Sequence, residues 1–317
     1  MVALQACAFS PGKVILLGEH FVVHGAYALV AAIEQGSTTK SSYSSEDQII
    51  SENLGMSWKE GKEVQPQLLP YKVALEKIKN RFSIHGKIRS IIQTNIPLSA
   101  GLGSSSSTSV SFVASILKLL NDRIEPNEII ENATEAERIT HGNPSGVDVF
   151  IGIKGGIHLF KRDGSKKSIK LNTAIKLIIL NTGISRSTSD LISKFSSYKQ
   201  ISPSFFNGLV QASSYLAELG ADYLCKGNLE EFGFLMDMQH AVLSFLGVSC
   251  DALDRIVNDS IEDGALGAKL TGAGGGGCAV VLPNQSSVDD LLKKLKLRGF
   301  SSIVSSIPSG GLRIWTE

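Results

Sequence analysis

Residues 97–108 read PLSAGLGSSSST. A proline and two glycines are followed by an unbroken run of small hydroxyl residues. The segment lies between Gly86–Gln93, which reads as a strand, and Ser105–Leu120, where Val110, Phe112, Val113, Ile116, Leu119 and Leu120 mark a helix. Gly101 and Gly103 allow a tight turn and close approach of the backbone to a ligand. The serines then begin a helix whose unsatisfied N–H groups and positive dipole end suit a phosphate. Serine hydroxyls there can donate to phosphate or ligate magnesium. The stretch is not G-x-x-x-x-G-K-[ST], which occurs nowhere in the chain, and Ser106 stands where a dinucleotide-binding G-x-G-x-x-G needs its third glycine.

Working outward, two further stations carry chemistry. In Ser10–His20, SPGKVILLGEH, Lys13 enters an apolar run, where it needs an anion or an exposed position, and Glu19 and His20 follow at its end. In Lys269–Cys278, KLTGAGGGGC, five glycines fall within the seven residues after Leu270 and Thr271. Such a loop suits close approach to a ligand, a tight chain crossing, or a plain hairpin. Two acids join them. Glu137 lies i+4 from Ala133 and i+7 from Ile130 on a helix read at Asn127–Thr140, which puts a carboxylate on its apolar face. Asp148 sits inside the apolar run Val147–Ile153, read as a strand. A buried carboxylate calls for a cation, a metal or a structural ion pair.

The remaining elements place these stations. Strands are read at Val14–Leu17 and Ala28–Ile33, a flexible hairpin or loop at 40–64, and a helix at Pro70–Phe82. The second half reads as a strand at Leu177–Leu180 and helices at Ser189–Ser197, Phe205–Leu224, Leu229–Phe245 and Ala252–Asp263. Strands at Ala268–Thr271 and Cys278–Leu282, a helix at Ser287–Lys296, and strands at Ser302–Ser306 and Leu312–Trp315 complete it. The expected class is α+β in two domains, 1–170 and 171–317, with the break in the polar stretch near 160–172.

Composition excludes several functions. The 317 residues are 43% hydrophobic and 19% charged, as in an ordinary globular chain. A net charge of +1 gives no basic field for duplex nucleic acid. No apolar run approaches the ~20 residues that span a bilayer, and MVALQACAFSPGK lacks the basic start and long apolar stretch expected of a secretory signal. Cys7, Cys225, Cys250 and Cys278 form no C-x-x-C pair. A cytoplasmic protein with free thiols is expected.

Taken in order, PGKVILLGEHFVVHG, IPLSAGLGSSSS, HGNPSGVDV and KLTGAGGGGC resemble the motifs of the GHMP kinases, the superfamily that phosphorylates galactose, homoserine, mevalonate and phosphomevalonate. GKVILLGEHFVVHG and ERITHGNPSGVDV are most similar to its mevalonate-phosphorylating branch. The resemblance implies an N-terminal domain like ribosomal protein S5, a ferredoxin-like C-terminal domain, and phosphoryl transfer from ATP with Mg²⁺ to the 5-hydroxyl of mevalonate in isoprenoid biosynthesis. A sibling kinase for phosphomevalonate, homoserine or a sugar, or a non-catalytic sensor on the same fold, stays open.

The resemblance also implies roles. Gly101, Gly103 and Ser104, with Pro97, Leu102 and Ser106 in the same segment, would cradle ATP. Ser105 and Glu137 would hold magnesium. Asp148 would accept or orient the proton of the substrate hydroxyl, paired with Lys13. Glu19, His20 and the loop at Gly272, Ala273 and Gly274 would face the substrate, as would Arg186 and Thr188. Ser106 and Ser107 stand where members of the family often have alanine. A homodimer is implied as well.

Overall fold

The computed structural model describes residues 5–97, 101–121, 124–142, 146–184, 188–307 and 310–317, without the side chains of residues 141, 188–190, 192–194 and 196. The chain runs β1 (Ala6–Leu17), a 3₁₀ turn (Phe21–His24), β2 (Ala28–Ser44), β3 (Gln48–Ser51), β4 (Met56–Lys59), α1 (Leu69–Arg81), β5 (Lys87–Thr94), α2 (Ser104–Leu120), α3 (Pro126–His141) and α4 (Val147–Lys154). It continues with β6 (Ile157–Phe160), β7 (Lys166–Ile169), β8 (Ile175–Asn181), α5 (Thr188–Ile201), α6 (Pro203–Lys226), α7 (Leu229–Phe245) and α8 (Asp251–Glu262). β9 (Gly267–Thr271), β10 (Cys278–Leu282), α9 (Val288–Leu297), β11 (Ser301–Ile307) and β12 (Arg313–Thr316) close it.

Two sheets organise these elements. The first has the order β12-β1-β2-β5-β3-β4, with β6 on β2 and β7 on β6; the second is antiparallel, β11-β8-β10-β9. Alternation sets the layers, because successive strand side chains point to opposite faces. Leu177 and Ile179 of β8, with Val280 and Leu282 of β10, pack toward Val14, Leu16 and Leu29 of the first sheet and Ala217, Ala221 and Phe232 of α6 and α7. Ile178 and Leu180, with Ala279 and Val281, face Leu253, Ile256, Leu291 and Leu295 of α8 and α9. Both faces are covered, which is why these strands read as continuous apolar runs. The other face of the first sheet carries α1, α2 and α3 through Leu75, Ile78, Phe112, Ile116, Ile129 and Ala133.

Two expectations change, at α4 and at Ile130, and two polar stretches prove to hold strands. Val147–Ile153 is not a strand but the helix α4. A short apolar run does not separate a strand from a buried helix by periodicity. Gly146, at φ 78°, turns the chain into the helix, and Asp148 falls in its first turn. The polar stretch near 160–172 contains β7 and the turn from β6, with Lys161 N donating to Ser165 O. Three of the four β7 residues are exposed, so no alternation announces it. Segment 40–64 is the end of β2 and the β3–β4 hairpin; β3 pairs parallel with β5, and Trp58 is buried. On α3, Ile130 is exposed, so the inward stripe that includes Glu137 runs through Ile129, Ala133 and Ala136.

β2 runs eleven residues past its expected end because its inward polar residues meet hydroxyls on α2. Ser37 pairs with Thr108 at 2.9 Å, Thr39 with Ser111 at 3.0 Å and Ser41 with Ser115 at 2.8 Å. Small hydroxyl residues let helix and sheet approach closely while leaving these polar atoms satisfied.

Candidate active site

β1 bulges just before Lys13. The register with β2 shifts between Pro11 and Lys13, and the Lys13 backbone N–H donates to Leu102 O at 2.9 Å. A bulge of this kind re-aims a side chain. Nζ of Lys13 donates to Gly101 O at 3.2 Å and lies 3.6 Å from Asp148 Oδ1. The lysine side chain is 7% exposed and the aspartate 33%, so the pair has a covered cation and an accessible carboxylate. Gly103 is required here: at φ 73° it caps α2, and a Cβ on it would sit 3.0 Å from Lys13 Cγ.

α2 starts at Ser104 with no side-chain cap and no acid in its first turn. The first N–H groups of a helix lack intrahelical partners, which leaves an anion site beside the Lys13–Asp148 pair. Ser104 is half-buried at this end, and Pro97 and Leu102 flank the turn, with Leu102 buried. Glu137, 3% exposed, reaches across from α3. Ser105 Oγ donates to its Oε1 at 2.6 Å, Ser106 Oγ to its Oε2 at 2.6 Å and Ser109 Oγ to Oε1 at 3.3 Å. Ser106 therefore faces the carboxylate and is buried. Ser107, also buried, donates to Ser10 O at 2.6 Å and accepts from Ser37 N at 2.8 Å, fastening the helix start to β1 and β2.

The glycine loop after β9 meets the first glycine turn back to back. A Cβ on Gly272, whose φ is 84°, would lie 3.1 Å from Gly101 Cα. The loop is tethered: Gly275 N donates to Val248 O and Gly277 N to Ile184 O. Thr271 Oγ1 bridges the sheets, accepting from Ile15 N and donating to Ile15 O, both at 3.1 Å. Gly274 and Ala273 lie in the same loop, and Ala273 O hydrogen-bonds His20 Nε2 at 2.9 Å. The expected substrate contacts Arg186 and the Thr188 side chain lie outside what the structure describes.

Glu19 does not line an open surface. It is 0% exposed and forms an ion pair with Lys269 of β9, equally buried, whose Nζ also donates to Leu270 O at 2.6 Å. Burial pushes the Glu19 carboxyl up and the Lys269 ammonium down, each toward its neutral form. Lys269 was missed in the sequence, although a lysine inside the buried strand GAKLT was a visible signal of the kind read at Lys13. His240 of α7 supports the same strand: Leu270 N donates to its Nδ1 at 3.3 Å, and its Nε2 lies 3.2 Å from Asp254 Oδ1.

His20 has φ 60° and is buried against Phe195, with ring centroids 5.0 Å apart. Burial holds its pKa down at about 4. The unfolded chain therefore binds a proton below pH 6.5 that the folded chain refuses, so stability falls as pH drops from about 6.5 toward 4. The loss attributable to this group is about 3 kcal/mol at the acid end. His20→Asn, which tolerates positive φ, is expected to flatten the difference between urea midpoints at pH 7 and pH 4.5. An unchanged difference refutes the assignment.

The mixed two-sheet fold, with a lysine–aspartate pair beside an uncapped helix start and a buried carboxylate facing it, is that of a small-molecule kinase. Residues 69–156 match the GHMP kinases N terminal domain and residues 221–300 the GHMP kinases C terminal domain. The chain belongs to the GHMP kinases. It is 32% identical to a mevalonate kinase of Aeropyrum pernix over 98% of both chains. Among solved structures, the mevalonate kinase of L. major in complex with R-mevalonate superposes with a TM-score of 0.80, at 28% identity over 96% of each chain. That of Methanococcus jannaschii superposes at 0.82, with 26% identity over 98% of each.

Proposed function

We propose that this chain transfers the terminal phosphoryl group of ATP to the 5-hydroxyl of mevalonate. The observation that carries the reading is the Lys13–Asp148 pair, its lysine bonded to the glycine turn that starts α2. Phosphoryl transfer needs mainly positioning and charge stabilisation. Asp148, the accessible member, takes the proton of the acceptor hydroxyl. Lys13 holds the carboxylate in place and offsets charge developing on the acceptor oxygen. The N–H groups of Ser104 and Ser105 receive phosphate oxygens.

Magnesium fits the donor set. Among the described residues no group of three or more His, Cys, Asp or Glu gathers. One buried carboxylate, Glu137, with the Ser105 hydroxyl matches the sparse protein ligation magnesium takes when phosphates and waters complete it. Bound there, the ion would neutralise the phosphate oxygens. His20 and the loop at Gly272–Gly274 border the acceptor end, with Arg186 and Thr188 as proposed contacts to its carboxylate.

Pairing of two copies belongs to the same proposal. Exposed Tyr215, Phe234 and Met238 around a groove of about 740 Å³ between α6 and α7 support it. A cytosolic setting is supported by four unpaired cysteines; among the described residues no helix is long and apolar enough to cross a membrane.

The test is ADP release with Mg-ATP and mevalonate, phosphomevalonate, homoserine or galactose. Turnover with mevalonate alone is expected. Turnover with another acceptor moves the substrate, and none with any acceptor despite nucleotide binding overturns the reading.

A further inference from the structure

We infer that Ser106 is a positioning residue for the cation site, holding the second oxygen of Glu137 so that its carboxylate keeps one orientation toward the metal. The inference rests on the reading of Glu137 as a metal ligand.

The geometry divides the serines of α2 into different tasks. Ser105, Ser106 and Ser109 stand at i, i+1 and i+4, so they gather on the side of the helix that meets α3. Ser105, half-buried at the mouth, donates to Oε1 and keeps lone pairs for a cation. Ser106 is 2% exposed and donates to Oε2 at 2.6 Å, a short contact of the charge-assisted kind. Ser109, 1% exposed, reaches Oε1 at 3.3 Å and adds a weaker restraint.

A carboxylate on a helix can rotate about its last bonds and offer either oxygen, or both, to a metal. The Ser106 hydrogen bond ties Oε2 to the body of α2, so Oε1 is the oxygen left toward Ser105 and the phosphate end. Alanine at 106 would remove that tie on Oε2 and take a donor from a buried carboxylate. Partners of this kind behind a metal ligand typically change metal affinity about 10–100-fold.

The test uses the full chain and Mn²⁺, whose free concentration is read by electron paramagnetic resonance, with ADP present. Ser106→Ala is expected to weaken Mn²⁺ binding about tenfold or more, a clearly larger loss than any in ADP affinity measured in chelator. Ser106→Cys keeps the size but donates weakly and should behave alike, giving a second reading should the alanine variant fold poorly. Ser106→Thr keeps the hydroxyl and should bind Mn²⁺ much as the parent does. Unchanged Mn²⁺ affinity in the alanine and cysteine variants overturns the inference. So does an equal loss of metal-free ADP binding, which would mark Ser106 as part of the helix start alone. Glu137→Gln separates the two levels. If it abolishes Mn²⁺ binding while Ser106→Ala does nothing, only this inference fails; if it too does nothing, the reading of Glu137 fails first.

Discussion

Asp148→Asn is expected to lower kcat by a hundredfold or more, within the roughly 10²–10⁴ range of a general acid–base group. Asparagine keeps the shape of the side chain and an oxygen that can accept from Lys13. It cannot take a proton from the acceptor hydroxyl. The loss should appear equally in kcat and kcat/KM, as for an interaction made only in the transition state. Nucleotide affinity should hold, since Asp148 lies on α4 and the phosphate end is built by α2. Steady-state kinetics with a saturating acceptor check this. Near-parental turnover would remove Asp148 from the chemistry and leave the Lys13 pair as a structural ion pair.

Lys269→Met should have the largest effect on stability. It leaves the Glu19 carboxylate in a site with 0% exposure on both sides of the pair. Glu19 Oε2 already has no hydrogen-bond partner among the described residues, so nothing nearby is placed to take over. Breaking a buried pair by removing one partner costs about 3–5 kcal/mol. Removing both is far milder, because no uncompensated charge remains. Glu19→Gln with Lys269→Met is therefore expected to recover most of the loss in urea unfolding. The pair also joins the residue just past β1 to β9, and the glycine loop at Gly272 grows from the end of β9. The single variant should accordingly disturb the His20–Ala273 contact as well. A single variant no less stable than the double would show that the ion pair carries no such role.

Much of the site was legible because local chemistry announced it. Glycines with serines at a helix start, a lysine entering an apolar run and a carboxylate on a helix's inward stripe are each awkward without a ligand or a partner. The same rule applied to GAKLT would have exposed Lys269. What it could not supply was the partner. Glu19 looks like a residue of a polar turn after a strand, and only the packing of β9 against β1 turns it into half of a buried ion pair. Ser106 likewise reads as one more serine at a helix start, until α3 brings Glu137 to 2.6 Å from it.

The elements divide in the same way. Strands β8 and β10 were plain because both faces are covered, so nearly every residue is apolar. β7 was hidden because only Ile169 is buried. α4 was mistaken for a strand because a short run buried on most sides has no diagnostic period. By itself the sequence determined the family, the order of its motifs and the residue types of the chemistry, since these depend on neighbours in the chain. Only the tertiary structure decided which acid meets which base, that β12 returns to pair with β1, and that two glycine turns some 170 residues apart touch at Gly101 and Gly272. Such pairings join residues far apart in the chain, and their geometry depends on how sheets and helices pack, which no local period records.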